Sequence, residues 1–389
     1  MRVPANIEGL YVHVPFCDGK CFYCAFYSVP YSVGRADEWI QAVRKEARQL
    51  TVEHGRIKPK TVYFGGGTPT LLSASQVRAL CDVLREELFS CDWSPEDVEE
   101  WTIESNPAGA TSTMFRQWRE VGVNRVSVGV QSLRDASLEL LGRRHRLIDI
   151  ESCIEAVHES GIVNWGVDLI ACVPGLDAAV WCEMLRRVVQ WGPKHVSVYA
   201  LTAEEGSVLL DAVCGGGIQL LDSEQQLDML ILAEDVLCAA GYERYEISNY
   251  SRPGFACRHN LACWRGRNYL GLGCAAASRI GRRRWTNRAN LDDYIASLQA
   301  GTAPVREEDR LDTTLDAVER LIFGLRLAEG VDLSVVKRES GCETSVLESW
   351  GRTLSRLVRE GLVEGGGEKW RLTRRGRELA DHVAVELMP

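Results

Sequence analysis

The sequence predicts an α/β fold: a partial (β/α)6 barrel of the TIM type, followed by a mainly helical, winged-helix-like C-terminal domain. Three observations predict it. From Leu10 to Leu201, strand-like runs alternate with longer segments of helical period. The unusual residues of that region fall just after the strand runs, where ligands bind in such folds. Beyond residue 202 the alternation ceases. Strict β-α alternation implies parallel strands with right-handed crossovers. About six units are too few for a closed eight-fold barrel, so a splayed partial barrel is predicted, with an open doubly wound sheet as the alternative.

The strand candidates are Leu10–Val14, Thr61–Phe64, Trp101–Glu104, Arg125–Val130, Asn164–Ile170 and His195–Leu201. Helical periods follow at Glu38–Leu50, Ser73–Phe89, Thr113–Val121, Ile150–Ser160 and Ala178–Trp191. Ser73 with Gln76 makes a capping box. Gly122, Gly161 and Gly192 stand where three of these helices should stop. Farther on, Ser223–Ala240 reads as a helix, as do Leu315–Ala328 and Val346–Arg359. Gly361-Leu-Val and Lys369–Thr373 suggest a glycine-turned hairpin before a final helix, Arg375–Leu387. The expected units are 1–210 for the barrel, 211–300 for an extension, and 301–389 for the winged-helix-like end.

Composition narrows the class. The 389 residues carry 45 Lys plus Arg against 54 Asp plus Glu, a net charge of −9. Such an acidic chain has no global footprint for nucleic acid or an anionic membrane. No apolar run approaches the ~20 residues of a transmembrane helix, and the first residues lack the pattern of a signal peptide. Most of the fourteen cysteines, Cys81, Cys153, Cys172, Cys182 and Cys238 among them, read as small apolar residues in a reducing cytoplasm.

Cys17, Cys21 and Cys24 are different, because spacings of four and three put them in one short loop after the first strand. Thiolates select soft metals, so zinc and iron–sulfur clusters are the candidates. Structural zinc takes four ligands, and no other Cys or His stands nearby; the next are His54 and Cys81. On a cubane cluster three cysteines would leave one iron without a protein ligand. The bland alternative is three buried thiols. The later strands add Gly65-Gly-Gly-Thr-Pro-Thr70, Glu104-Ser-Asn-Pro107, Gly129-Val-Gln131 and Asp168, bringing glycines, carboxylates and an amide to the same rim. The glycine run is neither a P-loop nor a Gly-x-Gly-x-x-Gly turn, and by itself would serve as a tight strand-to-helix turn.

The cysteine loop resembles the Cys-x-x-x-Cys-x-x-Cys motif of the radical S-adenosylmethionine (SAM) superfamily. That resemblance implies a [4Fe–4S] cluster on Cys17, Cys21 and Cys24, with SAM chelating the free iron. It places Tyr23 against the adenine, and Gly66, Gly67 and Thr68 at the methionine amine. Glu104, Gln131, Arg143 and Asp168 match SAM-contacting positions of the coproporphyrinogen-dehydrogenase branch, and Tyr11 matches a tyrosine there. Surface charges or strand-end caps are the alternative for the polar residues, a solvated basic turn for Arg143, and a core aromatic for Tyr11. An electron donor such as a flavodoxin or ferredoxin is also implied.

Phe-Gly-Gly-Gly-Thr-Pro-Thr, Gly-Val-Asn-Arg-Val-Ser-Val-Gly-Val-Gln-Ser, Tyr-Glu-Ile-Ser-Asn-Tyr and His-Asn-Leu-Ala-Cys-Trp together look like the HemW family of haem chaperones. The decarboxylating relatives, HemN, have an extra N-terminal segment and a further cysteine two residues after the third; Phe26 stands there, and sixteen residues precede Cys17. The resemblance therefore implies a cytoplasmic protein binding [4Fe–4S], SAM and haem and passing haem to an acceptor protein. No residue is assigned a catalytic role, and coproporphyrinogen dehydrogenase activity is not expected. The family's His-Asn-x-x-Tyr-Trp motif is linked to haem; His259 is present, and Cys263 replaces the tyrosine. Four apart on a helix, the two would share a face, and both are competent haem ligands. The alternative for His259 is a hydrogen-bonded core histidine.

Two other readings stay open. A radical SAM oxidoreductase acting on a porphyrin could use Arg265, Arg267 and Arg282–Arg284 for carboxylates, although a solvated hairpin turn is preferred for the run. A nucleic-acid-binding winged helix would use Arg371, Arg374, Arg375 and Arg377, against which the acidic surroundings argue.

Overall fold

The computed structural model describes residues 6–388. Six parallel strands lie side by side in chain order: β1 (Gly9–Val14), β2 (Thr61–Gly66), β3 (Glu100–Ser105), β4 (Arg125–Gln131), β5 (Asn164–Ala171) and β6 (His195–Ala200). They are the six predicted strands, with ends moved by one or two residues. Beyond β6 the sheet continues antiparallel through β7 (Glu243–Arg244) and β8 (Asn249–Ser251). On the other side β9 (Tyr269–Leu272) runs parallel to β1. A meander of β10 (Ala277–Ile280), β11 (Arg283–Asn287) and β12 (Arg306–Arg310) follows it. The order β12-β11-β10-β9-β1-β2-β3-β4-β5-β6-β8-β7 leaves two edges, so the barrel is partial.

Period-two alternation divides each central strand. One set of side chains, including Val62, Phe64, Trp101, Ile103, Val126, Val128, Val167, Leu169, Val196 and Val198, is buried in the main core. Helices cover this outer face: the Phe64 ring meets Trp118 of the helix Ser112–Glu120 edge-on, with centroids 5.7 Å apart. Each such side chain contributes about 1.5–3 kcal/mol by leaving water. The alternate set on β2–β6 is mostly polar: Tyr63, Glu104, Arg125, Ser127, Asp168, His195 and Ser197 face a chamber. A closed TIM barrel fills that space with apolar layers. Here the polar inner faces keep it open.

The helix ends follow the sequence signals. Ser73 and Gln76 form both bonds of the capping box. Gly161 and Gly192 take the left-handed conformation that ends their helices. The run from Ser73 to Phe89 is a helix over Ala74–Val83 that relaxes into a π-turn over Leu84–Leu88. The expected final helix is broken at Leu379 into Arg374–Glu378 and Ala380–Leu387.

Glu46, on the helix Val33–His54, fastens the antiparallel extension to the barrel. Fully buried, it accepts hydrogen bonds from the Gly273 N–H (2.9 Å), Asn287 Nδ2 (2.7 Å) and the Tyr294 hydroxyl (2.6 Å). Glu46→Ala strands three buried donors and should lower unfolding stability by about 3 kcal/mol, as read by urea denaturation. An unchanged midpoint would mean that the network adds nothing.

The C-terminal region has its own core around Leu321, Leu325, Trp350, Leu354 and Leu357. Its order is helix Thr313–Arg326, strand Val331–Asp332, helices Leu333–Ser340 and Thr344–Arg359, then the hairpin Val363–Gly366 and Lys369–Leu372, which is winged-helix topology. Three of the four arginines named for a nucleic-acid face are paired. Arg374 and Arg377 reach Asp235 (2.8 Å) and Glu234 (2.9 Å) on the helix Ser223–Ala239, and Arg371 bonds Glu364 (2.7 Å). In the β10–β11 hairpin Arg283 and Arg284 likewise hold Glu308 and Asp309, each at 2.7 Å. Among the described residues no helix is long and apolar enough to cross a membrane.

Candidate functional site

A cavity of about 650 Å³ opens at the carboxyl ends of the six strands and runs down inside the barrel. Cys17, Cys21 and Cys24 line its mouth as free, half-buried thiols. Their loop is tied down through Phe22, whose N–H donates to the Leu141 carbonyl (3.0 Å) and whose carbonyl accepts the Leu209 N–H (2.8 Å). Cys17 Sγ stands 3.6 Å from Thr68 Oγ1, and Arg143 Nη1 donates to Cys21 Sγ at 3.3 Å. Arg143 also donates through Nη2 to Asn106 Oδ1 (3.1 Å) and to the Gly129 carbonyl, so it turns into the site instead of forming a solvated turn. Asn106 in turn donates to Thr68 Oγ1 at 2.9 Å.

The glycines are required by space. A Cβ on Gly67 would lie 2.6 Å from the carbonyl oxygens of Val14 and Phe16, and one on Gly129 would lie 2.8 Å from Arg143 Nη2. Gln131 has φ 65°, and the β4–β5 register shifts between Val128 and Gln131, a bulge that ends regular pairing at the rim. Glu104 accepts from the Tyr63 hydroxyl (2.7 Å) and the Gly66 N–H (3.1 Å). Burial, opposed by the Tyr63 hydrogen bond and assisted by the Asp168 charge, pushes its pKa up to about 7. Burial likewise raises that of Asp168, which accepts from Ser127 Oγ at 3.1 and 3.2 Å.

Because the folded chain holds the Glu104 proton more tightly than the unfolded chain, stability falls as pH rises from about 4.5 through about 7. The ligand-free Glu104→Gln variant should therefore lose less melting temperature across that window than the parent. Parallel curves would show that Glu104 does not titrate there.

The sequence profile of the Radical SAM superfamily matches residues 11–188, and that of the HemN C-terminal domain matches 311–379. A heme chaperone HemW of Mycobacterium tuberculosis (strain H37Rv) is 32% identical, over 99% of this chain and 96% of its own length. The chain belongs to the HemW family of radical SAM proteins. Another family member, the heme chaperone HemW of Lactococcus lactis, is 29% identical over 96% of this chain and 95% of its own. The solved coproporphyrinogen III oxidase (HemN) of Escherichia coli superposes with a TM-score of 0.84 at 24% identity, covering 99% of this chain and 91% of that one; it shares the fold.

The residues present fit the superfamily's cluster and SAM. Among the described residues no three His, Cys, Asp or Glu side chains stand close enough to share one ion. A cubane makes a different demand, since each thiolate takes its own iron and the thiols must ring a space. Tyr23, Gly66, Gly67, Thr68, Glu104, Gln131, Arg143 and Asp168 line the cavity beside them. Tyr11 does not: its hydroxyl meets His13 Nδ1 at 3.1 Å and its ring tilts against Tyr63.

His259 and Cys263 lie elsewhere. His259, on the helix Arg258–Trp264, is buried against the first residues of β1 and β2, with Nδ1 2.9 Å from Thr61 Oγ1 and its N–H on Glu100 Oε1 (3.1 Å). Burial lowers its pKa to about 4. Cys263 sits behind it near Tyr269 and Arg279. Neither lines the chamber. The helix that carries them closes the barrel floor. His259→Ala removes a buried hydrogen bond and opens a hole there, so it should cost about 2–4 kcal/mol of stability, measurable by thermal unfolding of the apoprotein; a wild-type melting temperature would rule out this closing role.

Sequence reasoning missed Tyr63, Arg125, Ser127, His195 and Ser197, and named Asn106 only within the run Glu104–Pro107. The signal for the strand residues was in reach: polar residues recur at every second position of strands whose other face is uniformly apolar.

Proposed function

We propose that this protein is a haem chaperone that carries a [4Fe–4S] cluster and SAM, binds haem in the cytoplasm and delivers it to an acceptor protein. The observation that carries the reading is the match to heme chaperones over nearly the whole of both chains. Fourteen free thiols suit a reducing compartment. When bound, the reduced cluster supplies the electron that cleaves SAM. The chain's own part is to bind and orient: three thiols ring the mouth, the glycine turn brings the Gly66 and Gly67 backbone to the ligand, and Glu104 and Asp168 supply acceptors for a cationic, hydroxylated molecule. In this reading residues 1–210 hold these cofactors, 211–300 close the floor, and 301–389 form the winged end.

For haem, ligation by His259 and Cys263 requires the floor helix to open, because His259 is already bonded to Thr61. Soret spectra of His259→Ala and Cys263→Ala, on protein shown to be folded, test this pair; two unaltered spectra would place the iron elsewhere. Phe26, 69% exposed, stands where the decarboxylases have their additional cysteine.

The deciding experiment is anaerobic reconstitution followed by assays for haem binding, haem transfer and 5′-deoxyadenosine, with coproporphyrinogen III as candidate substrate. Haem binding without conversion of coproporphyrinogen is expected. Steady formation of protoporphyrinogen, dependent on SAM and an electron donor, would replace the chaperone with the porphyrin oxidoreductase.

A further inference from the structure

Below the SAM-binding rim the chamber continues to a floor that holds donors without acceptors. Arg125, near the start of β4, is 1% exposed and lines this part of the cavity. Its Nη1 donates to Asn164 Oδ1 (3.1 Å) and to the Phe255 carbonyl (3.2 Å), while Nε is buried with no acceptor. The Glu100 carboxylate stands 3.9 Å from Nη1, and its Oε1 takes the Cys257 thiol and the His259 N–H. His195, also buried, bonds the Tyr245 hydroxyl through Nε2 at 2.8 Å and leaves Nδ1 without a partner. With the tyrosine donating to Nε2, Nδ1 carries the ring proton and becomes a second free donor. Asp168 does not answer them, since it is taken by the hydroxyls of Ser127 and Ser197.

A buried guanidinium bonded through one nitrogen is costly unless something completes it. Ordered water could do so in part. The chamber of about 650 Å³ has room for a larger occupant, and toward its mouth, near the carboxyl ends of β5 and β6, Ile170 and Leu201 line it with apolar side chains beside Phe26 and Tyr199. We propose that the barrel floor is a carboxylate subsite, in which Arg125 and His195 receive a propionate of a tetrapyrrole whose ring rises from the floor toward Ile170 and Leu201 at the strand ends. The inference rests on the tetrapyrrole part of the functional reading, not on ligation of the iron by His259 and Cys263, and names the anchor within it.

The test uses the reconstituted, SAM-loaded protein with haem, haem dimethyl ester, coproporphyrin III and its tetramethyl ester as probes. The acids should bind at least about tenfold more tightly than their esters, as a lost charged hydrogen bond implies. Comparing haem with coproporphyrin then shows which tetrapyrrole the site prefers. Arg125→Gln should abolish the acid-over-ester preference while the cluster absorbance persists. If that variant fails to fold, Asn260→Phe takes its place: Asn260 lines the same floor, and the bulkier ring should block it and reduce acid binding to the ester level. Equal binding of acid and ester by the wild type overturns the subsite and leaves the chaperone reading standing. Binding of none of the probes overturns both. A preference that survives the folded variant puts the carboxylate elsewhere and also overturns the proposal.

Discussion

Replacing any one of Cys17, Cys21 and Cys24 by Ala should yield a folded protein that no longer assembles its iron–sulfur cluster. The three thiols sit on a loop outside the barrel core, and backbone bonds through Phe22 hold that loop whether or not a side chain is truncated. The core strands beneath depend on apolar packing and not on metal. A cubane offered only two thiolates has two open irons and is readily lost. Visible absorbance and iron content should fall to background, with circular dichroism and melting temperature close to those of the wild-type apoprotein. Stoichiometric iron and sulfide retained by each of the single variants would show that the cluster is held by other residues.

The second large effect is expected from Gly67→Ala, a change of one methyl group. That methyl would lie 2.6 Å from two carbonyl oxygens, and both belong to the backbone that leads from β1 into the cysteine loop. Backbone on both sides cannot give way as a flexible side chain would. The same turn is pinned by the Gly67 N–H on the Val14 carbonyl (2.9 Å) and the Thr68 N–H on the Phe16 carbonyl (2.7 Å). Relieving the clash must therefore move Thr68 and Cys17 together. Overpacking of this kind costs about 1–3 kcal/mol, and the displaced turn should lose SAM. With reduced, reconstituted protein, addition of SAM should change the wild-type EPR spectrum and leave that of Gly67→Ala unaltered. A full SAM response in the variant would show that the turn does not hold the ligand. No response in the wild type would remove SAM from the site.

Much of this architecture was legible because local signals and tertiary structure agree. The six barrel strands carry continuous apolar faces, and Gly161 and Gly192 punctuate their helices where a left-handed residue is needed. The mouth of the site was legible for a similar reason, since ligands cluster after strands and the cysteine spacing is rare. The floor was not. Its residues come from the beginnings of strands and from the start of a helix far along the chain: alternation marks Arg125 and His195 as inward-facing, but no local pattern joins them to Cys257. His259 shows the limit most directly: a motif associates it with haem, and its bond to Thr61 depends on a contact between positions 198 residues apart that no motif announces. The breaks at Leu84 and Leu379 are likewise tertiary, because the helical period continues through both.

The floor also dictates an order of assembly. As the chain leaves the ribosome, all six central strands are complete by Ala200, yet β1 has no neighbour on its outer side until Tyr269–Leu272 arrives. Until the segment from Tyr245 to Trp264 is made, Arg125 and Glu100 lie at an open end and water can reach them. A nascent chain paused near residue 240 would thus hold Cys17, Cys21 and Cys24 above a barrel with one bare edge and no bottom. Pulse proteolysis of stalled chains should find protection of β1 appearing only after residue 272 has emerged. Cofactor loading before that point would meet a wet, loosely held mouth, so productive loading belongs late in synthesis or after release.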